Sequence, residues 1–317
     1  MKVHYIIIIF LFFASCHTQN TVPKEVSDYL TETIDLLKKR SVNRNIIDWN
    51  EFRIDVFRKA RKAKSIKDTY SAVKYAVTEL KDKHSYFKPV TEAEEKSEMK
   101  PLPKLTDEIT PNDIGYIRIP FCIGSESENS NYISRIRKKI SEQSKKELKG
   151  WIVDLRGNFG GNMWPMLLSV EPLLGNGTVG YFVYPGNTFE DWKLAEGKVY
   201  LNEQLISKTD ILSNDDLSKQ FVAVLIDSQT ASSGEALVVA FKCRENSRLF
   251  GQPTFGVSSG CLSHTLSDGS VINLAENVFA DRKGRKYGAK LNPDYVTREN
   301  EELNAGIEWI YKMRDTY

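Results

Sequence analysis

Two short apolar runs each lead into a turn that opens a helix, and this repeated strand, turn and helix arrangement limits what the chain can become. Trp151 to Val153 lead into Asp154-Leu155-Arg156-Gly157-Asn158-Phe159-Gly160-Gly161, and Phe221 to Ile226 lead into Thr230-Ala231-Ser232-Ser233-Gly234-Glu235. Backbone N–H groups at a helix start lack an intrahelical acceptor and carry partial positive charge, so such a turn suits a developing oxyanion. The pair reads as an oxyanion-binding turn followed by a serine nucleophile, the parts of acyl-transfer chemistry. Each piece also has a plainer reading. Ser232 with Glu235 three residues on is a capping box ahead of the apolar stretch Ala236 to Ala240, and Gly160-Gly161 can be a tight turn and nothing more. The occurrence of both, in this order and after buried-type strands, carries the functional reading.

With them go Ile114-Gly115-Tyr116-Ile117-Arg118-Ile119, Gly251-Gln252-Pro253-Thr254-Phe255-Gly256 and Asn292-Pro293-Asp294. On these ordered segments the chain resembles, over residues 112 to 297, the carboxy-terminal processing (tail-specific) serine peptidases, which share a core with tricorn protease. The resemblance implies an α/β fold with a ClpP/crotonase-like core of mostly parallel strands and crossover helices. It places the nucleophile on Ser232 and the oxyanion donors on the N–H groups of Gly161 and Ser233. Asn162 and Met163 continue the glycine turn at the edge of the groove that would receive a peptide strand. Many members set a general-base lysine just after the Thr-Phe-Gly segment, where this chain has Val257-Ser258-Ser259, and valine cannot move a proton. Lysine-less members, including the tricorn core and the nisin-resistance type of membrane-anchored peptidase, use a histidine on the N-terminal side.

The chain has four histidines, His4, His17, His84 and His264. His4 falls in the apolar leader and His17 beside the anchor. His84 sits in Leu80-Lys81-Asp82-Lys83-His84-Ser85-Tyr86-Phe87, which resembles the histidine-bearing segment of the lysine-less members. Ile66, Tyr70, Val73, Val77 and Leu80 share one helical face, with Ser65 and Asp68 at its start. His84 thus follows a helix C-terminus, whose negative end favours imidazolium and keeps the ring basic. His264, in a strand running toward Ser267-Asp268-Gly269, is the alternative base. Asp82, Ser85 and Glu276 are the candidates for the group that orients His84, and a Ser-His dyad is the assignment the residues support.

The N-terminus speaks to compartment. Met1-Lys2-Val3-His4 precedes an apolar stretch from Tyr5 to Phe13 and then Ala14-Ser15-Cys16, the order of a signal peptide with a lipobox-like end, too short for a full span. Residues 1–15 are expected to be removed and Cys16 to become the lipidated first residue, with 16–23 as a tether. Formal charge is +2 for the whole chain, which gives no electrostatic case for nucleic acid. Besides Cys16 there are Cys122, Cys243 and Cys261. That is neither a disulfide framework nor a zinc pattern, although Cys243 and Cys261 can pair in an oxidising compartment.

Residues 24–88 read as a helical cap that carries the base, 89–111 as a Pro-rich linker, and 112–317 as the α/β core. The basic stretch Arg135 to Lys149 reads as a solvated crossover helix with Ile133, Ile136 and Ile140 turned inward. Residues 186–220 read as a polar surface insertion. The expected protein is an exported, membrane-tethered serine endopeptidase that cleaves peptides or exposed protein tails and calls for no metal or organic cofactor. The alternatives are a catalytically silent lipoprotein binding a peptide or apolar ligand in the same cleft, and a crotonase-like acyl-transfer enzyme.

Overall fold

The computed structural model describes residues 22–90, 104–212 and 216–316. The proposed signal peptide, Cys16 and residues 91–103 of the linker lie outside them. Among the described residues no helix is long and apolar enough to cross a membrane.

The chain begins with three helices, α1 (Lys24–Arg40), α2 (Trp49–Lys59) and α3 (Tyr70–Glu79), followed by a short strand, β1 (Tyr86–Lys88). Val26, Leu30, Ile34 and Leu37 of α1 recur at helical spacing and are fully buried or nearly so, as an amphipathic face requires. Asp48 accepts the N–H groups of Asn50 and Glu51 and so caps α2. The helices do not enclose a core by themselves. Their apolar faces share one cluster with Phe87, Leu266, Ile272 and Leu274, so strands from the far end of the sequence complete it.

β2 (Ile114–Arg118), α4 (Glu126–Gln143), β3 (Gly150–Asp154), α5 (Met163–Ser169) and α6 (Glu171–Leu174) come next, and then four strands, β4 (Gly177–Tyr184), β5 (Thr188–Ala195), β6 (Lys198–Leu201) and β7 (Gln204–Lys208). The chain closes with β8 (Val222–Ile226), α7 (Ser233–Phe241), β9 (Ser247–Gly251), β10 (Ser259–Thr265), β11 (Val271–Asp281), β12 (Tyr295–Val296) and α8 (Glu302–Thr316). Five strands form a parallel sheet in the order β12-β9-β8-β3-β2. Every residue of β3 and β8 is buried, because α8 covers one face and α4, α5 and α7 the other.

The second sheet is the larger, and it is antiparallel, which corrects the expectation of a mostly parallel core. β10 pairs with β11, whose opposite edge takes β1 at one end and β4 at the other, and β5, β6 and β7 extend from β4. Residues 186–220, read as a polar surface insertion, therefore hold the three strands β5 to β7. Glu196-Gly197 and Asn202-Glu203 close two-residue hairpins, with Glu196, Gly197 and Asn202 at positive φ, and such short connections admit only antiparallel pairing. Trp192, Leu194 and Val199 from this stretch are fully buried in the main core. Strand β1 was likewise not expected in a segment that reads as helical.

α4 turns Ile133, Ile136 and Ile140 inward, but Arg137 on the same helix is buried too. Its guanidinium pairs with the Glu171 carboxylate and donates to the carbonyls of Leu168 and Ile211 at 3.0 and 2.6 Å. Removing one partner of a buried ion pair strands the other, at a cost of about 3–5 kcal/mol. Arg137→Ala is expected to lower unfolding stability by that amount in a denaturant titration. A loss under about 1 kcal/mol, the range of an exposed pair, would show that Arg137 is solvated.

Candidate active site

Ser232 stands at the junction of the β8 turn and α7, in a left-handed backbone conformation (φ 52°, ψ −118°) uncommon for a residue with a side chain. What holds it there is Glu235, one turn into the helix and fully buried. One carboxylate oxygen accepts the Ser232 N–H at 3.0 Å and the Val257 N–H at 2.8 Å. The other accepts the Thr254 hydroxyl at 2.5 Å and the Gly256 N–H at 3.0 Å. The glutamate expected as half of a capping box therefore also pins the Thr254-Phe255-Gly256-Val257 segment to the nucleophile turn. Burial pushes its carboxyl above the ordinary range, against the pull of those hydrogen bonds.

The glycine turn meets this helix start at close range. Asn158, fully buried, donates to the carbonyls of Ile119 and Pro120 and accepts the Gly160 N–H, while its own carbonyl accepts the Ala231 N–H at 2.9 Å. The Ser233 hydroxyl donates to the Gly161 carbonyl at 2.5 Å, so this neighbouring serine ties the two turns together. A Cβ on Gly160 would lie 2.9 Å from Ser232 Cβ, and one on Gly161 would lie 2.1 Å from the Cys122 carbonyl oxygen. Both glycines also hold positive φ. The fixing hydrogen bonds run from N–H groups on either side of the two proposed donors: Gly160 and Asn162 around Gly161, Ser232 and Gly234 around Ser233.

His84 follows α3 on a loop shaped by Asp82, whose carboxylate accepts the N–H groups of His84 and Ser85 and the Ser85 hydroxyl. Asp82 thus acts on the histidine through its backbone, and Ser85 passes the connection on by accepting the Ala275 N–H of β11. The ring itself has a different partner. Its Nδ1 lies 2.8 Å from the hydroxyl of Ser259, the first residue of β10. Glu276 is not at His84, because its carboxylate is taken by His264 Nε2 at 2.5 Å and Arg40 Nε at 3.2 Å. That pairing also removes His264 from the site. The helix end was expected to favour imidazolium, yet burial pulls the His84 pKa below its ordinary value, and the Asp82 charge opposes this only in part.

Ser232, Ser233, His84, Ser259, Gly161, Asn162 and Met163 line one cleft of about 900 Å³. Its apolar wall comes from Phe159, Trp164, Phe182 and Phe279, with Trp164 edge-on to Phe182. None of the described residues lining it is a lysine or arginine, and Val257 is buried with its N–H on Glu235. Among the described residues no group of side chains has the makings of a metal site, and Cys122, Cys243 and Cys261 are free thiols, so Cys243 and Cys261 do not pair. Sequence reasoning missed Ser259 and the β4 and β11 aromatics, since strand pairing between distant segments brings them in.

The family model described as Peptidase family S41 matches residues 113–297. The nisin-resistance protein of Lactococcus lactis subsp. lactis is 28% identical over 290 residues, 91% of this chain and 88% of the relative. Carboxy-terminal processing protease CtpA of Bacillus subtilis (strain 168) is 28% identical over 204 residues, 62% of this chain and 39% of its own length. Among solved structures, a lipoprotein from Streptococcus agalactiae superposes with a TM-score of 0.72 at 24% identity, covering 92% of this chain and 98% of that one. The photosystem II D1 C-terminal processing protease gives 0.58 at 16%, covering 87% and 94%.

Gly234 tests how closely the turns must meet, since a Cβ there would lie 2.4 Å from the Asn158 carbonyl oxygen. Gly234→Ala is expected to cost roughly 1–3 kcal/mol, as overpacking does, and to slow any reaction at Ser232. Thermal unfolding followed beside active-site labelling checks both. Wild-type behaviour in each would mean that the turns have room to separate.

Proposed function

Since the chain belongs to peptidase family S41 and is a serine peptidase, we propose that it is an exported, membrane-tethered endopeptidase that cleaves peptides or exposed protein tails by a Ser-His mechanism. One observation carries the mechanism: Ser232, held in a strained helix-cap conformation against the Gly160-Gly161 turn, opens into the same cleft as His84. In this reading Ser232 Oγ attacks the scissile carbonyl and His84 accepts its proton. The Gly161 and Ser233 N–H groups receive the oxyanion, and the imidazolium returns the proton to the leaving amine before water releases the acyl group. The absence of lysine from the described lining supports histidine as base. The aromatic wall suits a peptide with a bulky apolar side chain, and Asn162 and Met163 at the mouth of α5 suit its backbone and a flanking residue.

The proposed division is a cap over residues 24–88 that carries the base and a core over 112–317 that carries the nucleophile, with the site between them. Export and tethering rest on the apolar run from Tyr5 to Phe13 followed by Cys16, and the similarity to a streptococcal lipoprotein and to a nisin-resistance protein supports them.

Ser232→Ala is expected to abolish peptide hydrolysis and labelling by a fluorophosphonate serine probe, with stability lowered by no more than about 2 kcal/mol, the range of a lost N-cap. The neutral ring is the base, and burial lowers its pKa. Activity should therefore rise with pH through a midpoint below about 6.5, the unperturbed histidine value, and be flat by neutrality. A folded wild type that binds peptides but takes no label would favour the silent binding lipoprotein. A rate that climbs only above about pH 9 and survives His84→Ala would point to a lysine base.

A further inference from the structure

The Ser-His mechanism has no third group yet, because the Glu276 carboxylate is held by His264 and Arg40 and that of Asp82 is bonded to backbone N–H groups and the Ser85 hydroxyl and not to the ring. We infer that Ser259 is the positioning residue of His84, holding the ring through Nδ1 in the place where other histidine-dependent serine hydrolases have a carboxylate. The inference rests on the Ser-His reading and adds to it. Nδ1 and Ser259 Oγ are 2.8 Å apart, and Ser259 is buried. The tautomer that donates from Nδ1 to the hydroxyl oxygen leaves the lone pair on Nε2, the nitrogen a base needs.

Ser259 is itself fixed from two sides. It opens β10 opposite Val278 of β11, and its N–H donates to the Val257 carbonyl at 2.8 Å. Next to it, the Ser258 hydroxyl donates to the Ala289 carbonyl and accepts the Gly288 N–H. Val257 in turn donates to the same Glu235 oxygen that accepts the nucleophile's N–H. A short path therefore runs from Ser232 through Glu235, Val257 and Ser259 to the His84 ring. The base arrives from the N-terminal helices, but the hydroxyl that aims it opens a strand whose entering loop shares the Glu235 carboxylate with the nucleophile turn.

A hydroxyl differs from a carboxylate in one measurable respect: it orients the ring while stabilising a positive charge on it far less. Among the described residues the ring meets the charge of Asp82 on its own loop, where Lys81 and Lys83 are exposed to solvent, and along the cleft the phenols of Tyr86 and Tyr184, the Cys261 thiol and Glu190. This arrangement fits a base that works as the neutral ring from mildly acidic pH upward.

The test is ¹⁵N-histidine NMR of the full chain, with the His84 signals identified by their loss in His84→Gln, alongside peptide hydrolysis. Wild type should show His84 protonated on Nδ1. Ser259→Ala should lose that preference and lower kcat by about 10- to 100-fold, part of the roughly 10² to 10⁴ that a general base supplies, with KM within about twofold. Ser259→Asp should keep the tautomer and raise the ring pKa by about one unit or more, as a carboxylate partner does, moving the pH-rate midpoint with it. A residue that merely packs would leave both the tautomer and kcat unmoved in Ser259→Ala, and that result overturns the inference even if wild type is active and His84→Gln is dead. An inactive wild type with no Nδ1–H signal would remove the Ser-His reading as well, so the two failures are told apart.

Discussion

The buried carboxylate of Glu235 is the interaction on which the rest of the site depends. A carboxylate shielded from water is costly unless its lone pairs are used, and here four donors use them: the N–H groups of Ser232, Gly256 and Val257 and the Thr254 hydroxyl. Those donors come from two segments separated by α7 and β9, so satisfying one side chain fixes the nucleophile turn and the loop entering β10 in a single arrangement. Thr254 extends the same constraint by accepting the Leu291 N–H. The positive φ of Ser232 is a local strain, and it persists because this network over-determines the turn.

The second constraint is the depth at which the N-terminal helices join the larger sheet. α1 to α3 bury their apolar faces on Leu266, Ile272 and Leu274, β1 pairs with Val271 to Asn273, and the Val42 N–H donates to the Ala275 carbonyl at 2.8 Å. The Arg40, Glu276 and His264 group crosses the same junction. His84 is thus carried by a segment that shares its core with β11, and a base fixed in this way does not rely on loop contacts alone. Positioning of this kind is worth several kcal/mol to a reaction and is lost over displacements of about 1 Å.

Long β11 links the two parts of the site. One end pairs with β1 beside the base, the other with β4 beside the aromatic wall, and β10 runs along its opposite edge with Ser259 at its start. In the register between β11, β4 and β5, Phe279 faces Phe182 and Phe182 faces Glu190. This row places aromatic surface and one carboxylate along the cleft that Ser232 enters. The parallel sheet supplies the turns that do the chemistry, and the antiparallel sheet supplies the wall and the histidine's partner.

The sequence by itself determined what is local. The strand-to-helix turns at Gly160-Gly161 and Ser232 to Glu235 were legible because glycine spacing, a cap residue and a flanking apolar run act within a few residues. Helices α1 to α3 were legible because helical periodicity is a short-range property. The identity of the histidine came from a family resemblance and not from its surroundings, which the sequence does not display. Tertiary structure alone decided the rest. The polar stretch holding β5 to β7 hides alternating strands whose buried side becomes apparent only once a core lies against it. Glu276 was a reasonable partner for His84 until Arg40 and His264 proved to satisfy it, and Ser259, 175 positions from His84 in sequence, became the ring's partner through strand pairing that no local pattern encodes. Short-range rules fix turns and helix starts, whereas the environment of a buried titratable group depends on which distant segments share its core.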